Sequence, residues 1–117
     1  DIKRSPEIIY GLRNFIGNAV KFSNKKIDVR IESNEEKICI KINDDGPGFP
    51  DDIIRILGEP YIKSKLINDK SGLGLGTFLG KTLLERQGAQ LSFSNGGQYK
   101  GAVVTIIWKV KEFNLTF

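Results

Sequence analysis

The sequence predicts a two-layer α/β (α+β) sandwich, in which a mixed, mostly antiparallel sheet packs on three helices. Three observations predict it. Apolar residues recur at helical spacing in separate segments, two neighbouring runs alternate apolar and polar residues, and the strand segments come in adjacent pairs. The resulting order is helix, hairpin, helix, loop, helix, hairpin, which favours antiparallel strands over a doubly wound parallel sheet. We expect residues 1–117 to form one domain.

The first helix is expected to begin at Ser5-Pro6-Glu7 and to run to about Phe22. Serine caps a helix, proline tolerates the first helical position, and glutamate favours the positive end of the helix dipole. The apolar residues recur at helical spacing and predict one core-facing stripe: Ile8, Ile9, Leu12, Phe15, Ile16, Ala19 and Val20.

Two runs in which apolar and polar residues alternate, residues 27–32 and 37–42, predict the first hairpin. The segment between them is Ser33-Asn34-Glu35-Glu36. Alternation over this length is typical of strands with one buried face. Cys39 would then point away from the isoleucines of its own strand.

Turn residues interrupt the second strand at Asp44-Asp45-Gly46-Pro47-Gly48, where we expect Asp45 to be a solvated turn residue. Pro50-Asp51-Asp52 begins a short helix that runs to about Leu57. Residues 58–71 show no sustained period, which predicts a long loop of the kind that usually has a function.

The third helix is entered through Gly72-Leu73-Gly74-Leu75-Gly76 and is expected to end near Gln87, with Gly88 as its stop. Two strands, residues 91–93 and 104–110, follow it and are joined by a turn-rich segment. The predicted apolar stripe of this helix comprises Leu75, Phe78, Leu79 and Leu83.

The composition excludes several classes of function. With one cysteine and no histidine, the chain has no internal disulfide, no histidine-ligated metal and no Ser-His or Cys-His nucleophile pair. The net charge of +4 is spread over runs of mixed sign, so no nucleic-acid partner is expected. No apolar run approaches the roughly 20 residues that cross a bilayer, and we expect neither a spanning segment nor a signal peptide.

Three polar residues on the first helix are candidates for a site. Asn14, Asn18 and Lys21 stand at positions i, i+4 and i+7, so they share one face. Two carboxamides and an ammonium in a row can ligate a hard cation and neutralise phosphates. An ordinary solvated helix face is the alternative.

Asp44 ends a strand and is followed by Gly46 and Gly48. Such a carboxylate can accept hydrogen bonds from an amino group, and the glycines let a flat ring or a phosphate approach the backbone. A simple turn is the alternative.

Gly72, Gly74 and Gly76 alternate with leucines directly before a helix. Free N–H groups at a helix N-terminus favour anions, so this run is a candidate phosphate cradle. The P-loop and Rossmann spacings are both absent. A glycine-rich hinge without a ligand is the alternative.

The ordered combination is more specific than any of its parts. LRNFIGNAVKFS, then DDGPG, then EPY with Lys65, then GLGLG together resemble the catalytic ATP-binding domain of sensor histidine kinases, in the GHKL ATPase superfamily. The resemblance covers nearly the whole chain and implies the Bergerat ATP-binding fold. The segments LGEPY, GLGLGTFLGKTLLERQGA and GGQYKGAVV resemble most the redox-responsive RegB/PrrB subgroup.

The resemblance implies a role for each matching residue on the first helix. Asn18 matches the ligand of the Mg²⁺ that bridges the phosphates, and Asn14 supports the phosphate site. Lys21 matches a phosphate-contacting lysine, and Phe22 the aromatic that lies against the nucleotide.

The later motifs carry the remaining implied roles. Asp44 resembles the carboxylate that binds the adenine amino group, beside which Gly46 and Gly48 make room. Lys65 resembles the lid lysine that closes on the phosphates. The run at the phosphate end of the lid comprises Gly72, Leu73, Gly74, Leu75 and Gly76.

The chain departs from the family at three places. Gly58-Glu59-Pro60-Tyr61 replaces the frequent Phe-Glu-Pro-Phe, and Gly101-Ala102 stands where a Gly-Thr/Ser element helps to hold adenine. The family also has a strand before the first helix, so we expect one sheet strand to be missing or shortened.

The implied function is transfer of the γ-phosphoryl group of Mg-ATP to a histidine. Hydrolytic relatives carry a general-base glutamate where this chain has Asn14, so efficient hydrolysis is not expected. The acceptor histidine would lie on a dimerisation domain upstream, in a bacterial, membrane-anchored homodimer of the inner membrane, with this domain on the cytoplasmic side and a response regulator as partner. A serine kinase of the anti-sigma type and a nucleotide-binding interaction module without phosphotransfer are the alternatives.

Overall fold

The computed structural model describes residues 6–57 and 74–109. Its helices and strands follow the predicted order, and the predicted loop, residues 58–71, lies outside the described residues. The elements are α1 (Pro6–Phe22), β1 (Ile27–Ser33), β2 (Lys37–Asp44), α2 (Asp51–Leu57), α3 (Gly74–Glu85), β3 (Gln90–Asn95) and β4 (Ala102–Lys109).

The four described strands form one sheet in the order β1-β2-β4-β3. Every neighbouring pair is antiparallel, and Ile40 of β2 lies opposite both Ile31 of β1 and Ile106 of β4. Together with the three helices, this sheet confirms the predicted α/β sandwich. Val110, the predicted last residue of the final strand, lies outside the described residues.

The core lies between the sheet and the helices. α1 packs against β2 and α3, whereas α2 and α3 pack against β3. A single cluster of buried side chains joins these layers, and its largest fully buried members are Trp108, Phe15, Ile42, Leu57, Leu84 and Ile106.

Two glycines set the close approach of α1 and α3. A Cβ at Gly11 would lie 2.6 Å from Cγ of Leu84, and a Cβ at Gly80 would lie 3.2 Å from the ring of Phe15 and 3.3 Å from Cβ of Asn14. The helix backbones therefore approach more closely than larger residues at these positions would allow.

The predicted apolar stripe of α1 is wrong at its edges. Phe15 and Ala19 are buried, but Ile9 is exposed and Val20 is 60% exposed. The buried face instead includes Gly11, because α1 turns this side toward Leu84 of α3.

The predicted buried face of the first hairpin holds for β2 but not for β1. Ile40 and Ile42 of β2 are buried, whereas Ile27 and Val29 are exposed and Ile31 is 69% exposed. The reason is position: α1 packs over β2, and β1 forms the edge of the described sheet.

The predicted stripe of α3 is wrong at Leu79, which is 40% exposed. Among the described side chains of this helix, Thr77, Lys81 and Leu84 are buried, whereas the side chains of Leu75 and Phe78 lie outside the described part of the chain. Lys81 lies within 2.9 Å of Glu85 one turn later, which gives its ammonium a partner. The helix ends at Glu85, and Gly88 follows with φ of 90°, a left-handed conformation that suits the predicted stop.

None of the described helices has the length and apolar character that a bilayer crossing requires.

Asp45 closes the loop between α1 and β1, contrary to the expectation of a merely solvated residue. Its Oδ1 accepts hydrogen bonds from the backbone N–H groups of Asn24 at 2.8 Å and Lys25 at 3.0 Å. Partial burial acts to raise the pKa of Asp45, but hydrogen bonds from the backbone around Lys26, Lys25 and Asn24 outweigh it and lower the pKa.

We predict opposite effects for two glycine-to-alanine changes in α1. Gly11→Ala places a methyl group against buried Leu84 and should lower the free energy of unfolding by about 1–3 kcal/mol. Gly17→Ala is the matched control, because nothing lies within 4 Å of its Cβ position. It should raise the free energy of unfolding by up to about 1 kcal/mol. Urea titration measures both, and equal effects would contradict the close helix approach.

Asp45 should make a pH-dependent contribution to stability. A lowered carboxyl pKa stabilises the folded state above the unfolded pKa, and this contribution is lost as the pH falls through the folded pKa. Asp45→Ala should therefore lower the free energy of unfolding at pH 7, and the difference from the unsubstituted protein should shrink toward pH 3. A difference that is constant with pH would mean that the Asp45 charge is not involved.

Candidate functional site

A pocket lies between the second half of α1 and the sheet, and the segment after β2 closes one side of it. Its volume is about 410 Å³ including the open mouth. Most of its wall is apolar, with one carboxylate and one carboxamide. The lining residues are Phe15, Asn18, Ala19, Phe22, Ile42, Asp44, Gly48, Phe49, Ala102 and Val104.

Asp44 provides the carboxylate at the end of β2. It is only 6% exposed, and its Oδ1 accepts hydrogen bonds from the N–H of Gly46 at 2.9 Å and of Ala102 at 3.1 Å. Both bonds go to the same oxygen. Within the described residues, Oδ2 is therefore left to accept a hydrogen bond from a group in the pocket.

Two glycines leave room for this carboxylate. A Cβ at Gly46 would collide with the carbonyl oxygen of Phe22 at the end of α1, and a Cβ at Gly101 would collide with the backbone carbonyl of Asp44. The end of α1, the end of β2 and the start of β4 therefore meet around Asp44 at distances that side chains would prevent.

Asn95, at the end of β3, holds the segment that closes the pocket. Its Oδ1 accepts a hydrogen bond from the N–H of Phe49 at 2.7 Å, and its Nδ2 donates to the carbonyl oxygen of Phe49 at 2.9 Å. Gly48 has φ of 85°, and a Cβ there would lie 2.7 Å from Asn95 Oδ1. A glycine at this position therefore permits both the turn and the close contact.

Aromatic rings form the apolar part of the pocket. Phe15 and Phe49 both line it, and each packs against Phe93, with ring centroids 5.7 Å and 5.8 Å apart. Phe22 lines the same pocket, and Nζ of Lys21 lies 5.2 Å from the centroid of its ring. Such walls offer aromatic faces and edges against which a flat, apolar group packs favourably.

The two asparagines of α1 both face α3. Nδ2 of Asn18 donates a hydrogen bond of 3.0 Å to Oγ1 of Thr77, and Cβ of Asn14 lies beside Gly80. Oδ1 of Asn14 is buried and has no hydrogen-bond partner within residues 6–57 and 74–109. Two amide oxygens thus stand one helical turn apart at the junction of α1 and α3.

These residues fit a hard divalent cation. Carboxamide oxygens are ligands that Mg²⁺ accepts, and the buried oxygen of Asn14 gains from any electropositive partner. No group of three or more acidic, cysteine or histidine side chains that could hold a metal ion occurs among the described residues. A metal here would need further ligands from a bound molecule such as a phosphate chain.

The structure brings several of the predicted residues together. Asn18, Phe22, Asp44 and Gly48 line one pocket, and Gly46 donates to the carboxylate of Asp44. The remaining predicted residues lie elsewhere. Asn14 lies one turn earlier on α1, and Lys21 is exposed beside Phe22. The first turn of α3 contains Gly74, Leu75 and Gly76. Three further residues, Lys65, Gly72 and Leu73, lie outside the described residues.

Sequence reasoning missed Thr77 and Asn95. Thr77 directly follows the glycine run, and a polar residue there stands out among apolar helix positions. Asn95 lies in a segment that is typical of turns, and nothing in its local pattern indicates a contact with Phe49. The N–H of Ala102 acts through the backbone, so its side chain gives no indication of it.

Comparison with known proteins shows the family of the chain. The family described as "Histidine kinase-, DNA gyrase B-, and HSP90-like ATPase" matches residues 5–112. The sensor histidine kinase RegB of Cereibacter sphaeroides is 40% identical over 126 residues, covering 93% of this chain and 27% of RegB. CssS of Bacillus subtilis, also a sensor histidine kinase, is 30% identical over 95 residues, covering 79% of this chain and 20% of CssS. The chain thus spans about a quarter of the length of these relatives.

Solved structures show the same fold. The mycobacterial sensor histidine kinase MprB superimposes with a TM-score of 0.69 at 23% identity, covering 92% of this chain and 72% of that one. Full-length ShkA, solved in complex with AMPPNP, superimposes with a TM-score of 0.63 at 25% identity, covering 87% of this chain and 21% of that one. The chain therefore belongs to the family of histidine kinase-, DNA gyrase B- and HSP90-like ATPases, as a catalytic ATP-binding domain of the sensor histidine kinase type.

Proposed function

We propose that this chain binds Mg-ATP in the pocket around Asp44 and transfers the γ-phosphoryl group to a histidine on a separate dimerisation domain. The observation that carries the proposal is the buried Asp44 carboxylate. One of its oxygens is held by two backbone N–H groups, and the other is left to an incoming donor inside an apolar pocket.

Asp44 suits the exocyclic amino group of adenine. That group can only donate, and a carboxylate that accepts no other bond on Oδ2 can only accept, so the pair is complementary. A hydrogen bond to a charged group contributes about 1.5–3 kcal/mol, which is enough to discriminate an amino group from a carbonyl at the same position. Phe15, Phe22 and Phe49 provide apolar surfaces for the ring system.

The phosphate end of the pocket would lie where α1 meets α3. Asn18, supported by Asn14, would hold Mg²⁺ through amide oxygen, and Lys21 would approach the phosphates as a point charge. Bound Mg²⁺ supplies neutralisation of the phosphate charge. The N–H groups of Gly74–Gly76 at the start of α3 add partial positive charge. The solved complex of ShkA with AMPPNP supports a nucleoside triphosphate as the ligand of this fold.

The amide at position 14 supports transfer over hydrolysis. An amide cannot take a proton from water, so Asn14 cannot act as the general base that hydrolysis requires. Phosphoryl transfer depends mainly on positioning and charge neutralisation, which amides, lysines and backbone N–H groups supply. The chain has no histidine, so the acceptor imidazole would come from another part of a longer protein.

The relatives suggest the context of that longer protein. The 40% identity to RegB supports a place in the RegB-like subgroup, and the relatives named as sensor histidine kinases support a response regulator as the next acceptor. We extend the proposal to residues 1–117 as one domain of a membrane-anchored bacterial homodimer, on the cytoplasmic side. Lys65, Gly72 and Leu73 would close over the phosphates.

Asp44→Asn should weaken ATP binding by about 10- to 100-fold, because the change replaces a charged acceptor by an amide that also carries donors. Calorimetric titration of ATP measures the change, and circular dichroism checks that the fold persists. Asp45→Asn is the matched control, since its carboxylate lies in the neighbouring turn and binds backbone N–H groups outside the pocket. Unchanged affinity in Asp44→Asn would exclude Asp44 as the adenine carboxylate.

Transfer should depend on both Mg²⁺ and Asn18. Incubated with γ-³²P-labelled ATP and a separately produced histidine-bearing dimerisation domain, the chain should place acid-labile label on histidine, and Asn18→Ala should reduce this by at least about 100-fold. Gly17→Ala, one residue away and exposed, serves as the control. Label on serine would instead support an anti-sigma-type kinase. Nucleotide binding without any label would support an interaction module.

A further inference from the structure

We propose that Thr77 is a positioning residue that fixes the orientation of the Asn18 carboxamide, so that Oδ1 of Asn18 faces the pocket as a metal ligand. The inference rests on the proposed function, because it assigns Asn18 to Mg²⁺. The observation behind it is the hydrogen bond of 3.0 Å from Asn18 Nδ2 to Thr77 Oγ1.

The carboxamide of Asn18 is nearly symmetric in shape. The oxygen and nitrogen of Asn18 are nearly equal in size, so packing alone does not decide which of them faces the pocket. Only the oxygen can ligate a hard cation. If the NH₂ group of Asn18 faced the pocket, it would present N–H donors to the cation and could not ligate it. Metal binding therefore requires the orientation in which Oδ1 faces the pocket.

Thr77 is shielded from solvent. It is fully buried, at 0% exposure, so its hydroxyl cannot exchange protein partners for water. In the structure, Oγ1 of Thr77 accepts the hydrogen bond from Nδ2 of Asn18. An acceptor at this point attracts the NH₂ group of Asn18 and leaves the oxygen on the opposite side of the carboxamide plane.

The junction of α1 and α3 holds both residues in place. Gly80 lies one turn after Thr77 and contacts Asn14 one turn before Asn18, so α1 and α3 are in register at two successive turns. The hydrogen bond therefore joins two helices that are already held together. The acceptor does not move with the ligand, and the orientation of Asn18 is set before nucleotide arrives.

Thr77→Val tests the inference, because valine keeps the branched shape and removes the hydroxyl. ATP affinity is measured by calorimetry in Mg²⁺ and in EDTA. The gain in affinity that Mg²⁺ provides should fall by roughly three- to tenfold, and the affinity in EDTA should be unchanged. Thr77→Ser, which restores the hydroxyl, should restore the gain. Thr82→Val, the same substitution on the same helix, is the control and should alter neither affinity.

A readout without nucleotide or metal accompanies the titration. In ¹⁵N spectra of the nucleotide-free protein, the side-chain NH₂ resonances of Asn18 should move toward solvent-exposed values and exchange faster in Thr77→Val. They should return in Thr77→Ser. Resonances that are the same in all three proteins would overturn the inference, because the hydrogen bond would then not hold the amide.

The outcomes separate this inference from the function on which it rests. If Mg²⁺ gives the unsubstituted protein no gain in affinity, the proposed metal site is wrong and the role of Thr77 falls with it. If the unsubstituted protein shows the gain and Thr77→Val retains it, the positioning role alone is overturned. An equal loss in Mg²⁺ and EDTA also overturns it, because a structural defect acts on both. Should Thr77→Val not fold, Thr77→Ala removes the same hydroxyl and is read in the same way.

Discussion

The burial of a carboxylate at the end of β2 is the constraint around which the site is arranged. Removing an ionised group from water costs several kcal/mol unless hydrogen bonds replace the lost hydration. At Asp44 the replacement comes from two backbone N–H groups, one just after β2 and one at the start of β4. Backbone can approach so closely only where side chains are absent, which explains glycine at positions 46 and 101. The helix α1 ends against the same point, through the carbonyl oxygen of Phe22.

The approach of α1 to α3 is a second constraint with the same physical basis. Gly11 and Gly80 remove side chains from the contact, so Leu84 and Phe15 fill the space between the helices and join the core. A consequence of the close approach is that a polar residue on one helix can bond directly to a polar residue on the other. Asn18 and Thr77 do so across 59 residues of sequence. The packing that stabilises the fold thus also determines which amide groups are available at the pocket.

Sequence patterns predict this molecule well where the determinants are local. The order of elements, the antiparallel pairing and the turn at Asp44 follow from spacing, alternation and glycine content, each of which acts over a few residues. Patterns predict less well which face of a helix is buried. Hydrophobicity favours Leu79 on α3, yet Gly80 and Thr77 face α1, because a close helix contact selects small residues rather than apolar ones.

The same limit applies to contacts between distant segments. The exposure of Ile31 depends on where α1 lies across the sheet, and alternation within β1 contains no information on that. Asn95 holds Phe49 from 46 residues away. Such pairs arise only when the sheet order places the end of β3 beside the segment after β2, so a pattern read along the chain cannot find them.

The two ends of the pocket are held by different parts of the fold. Asp44 takes its hydrogen bonds from the backbone beside β2 and β4, whereas the Asn18 side chain takes its hydrogen bond from α3. On the proposed function, base recognition therefore depends on the sheet, and the metal-dependent part of phosphate binding depends on the junction of two helices. The Asp44 contacts need no metal, so removal of Mg²⁺ by EDTA leaves base recognition in place. Affinity measured in EDTA is therefore the reference against which the contribution of the helix junction is determined.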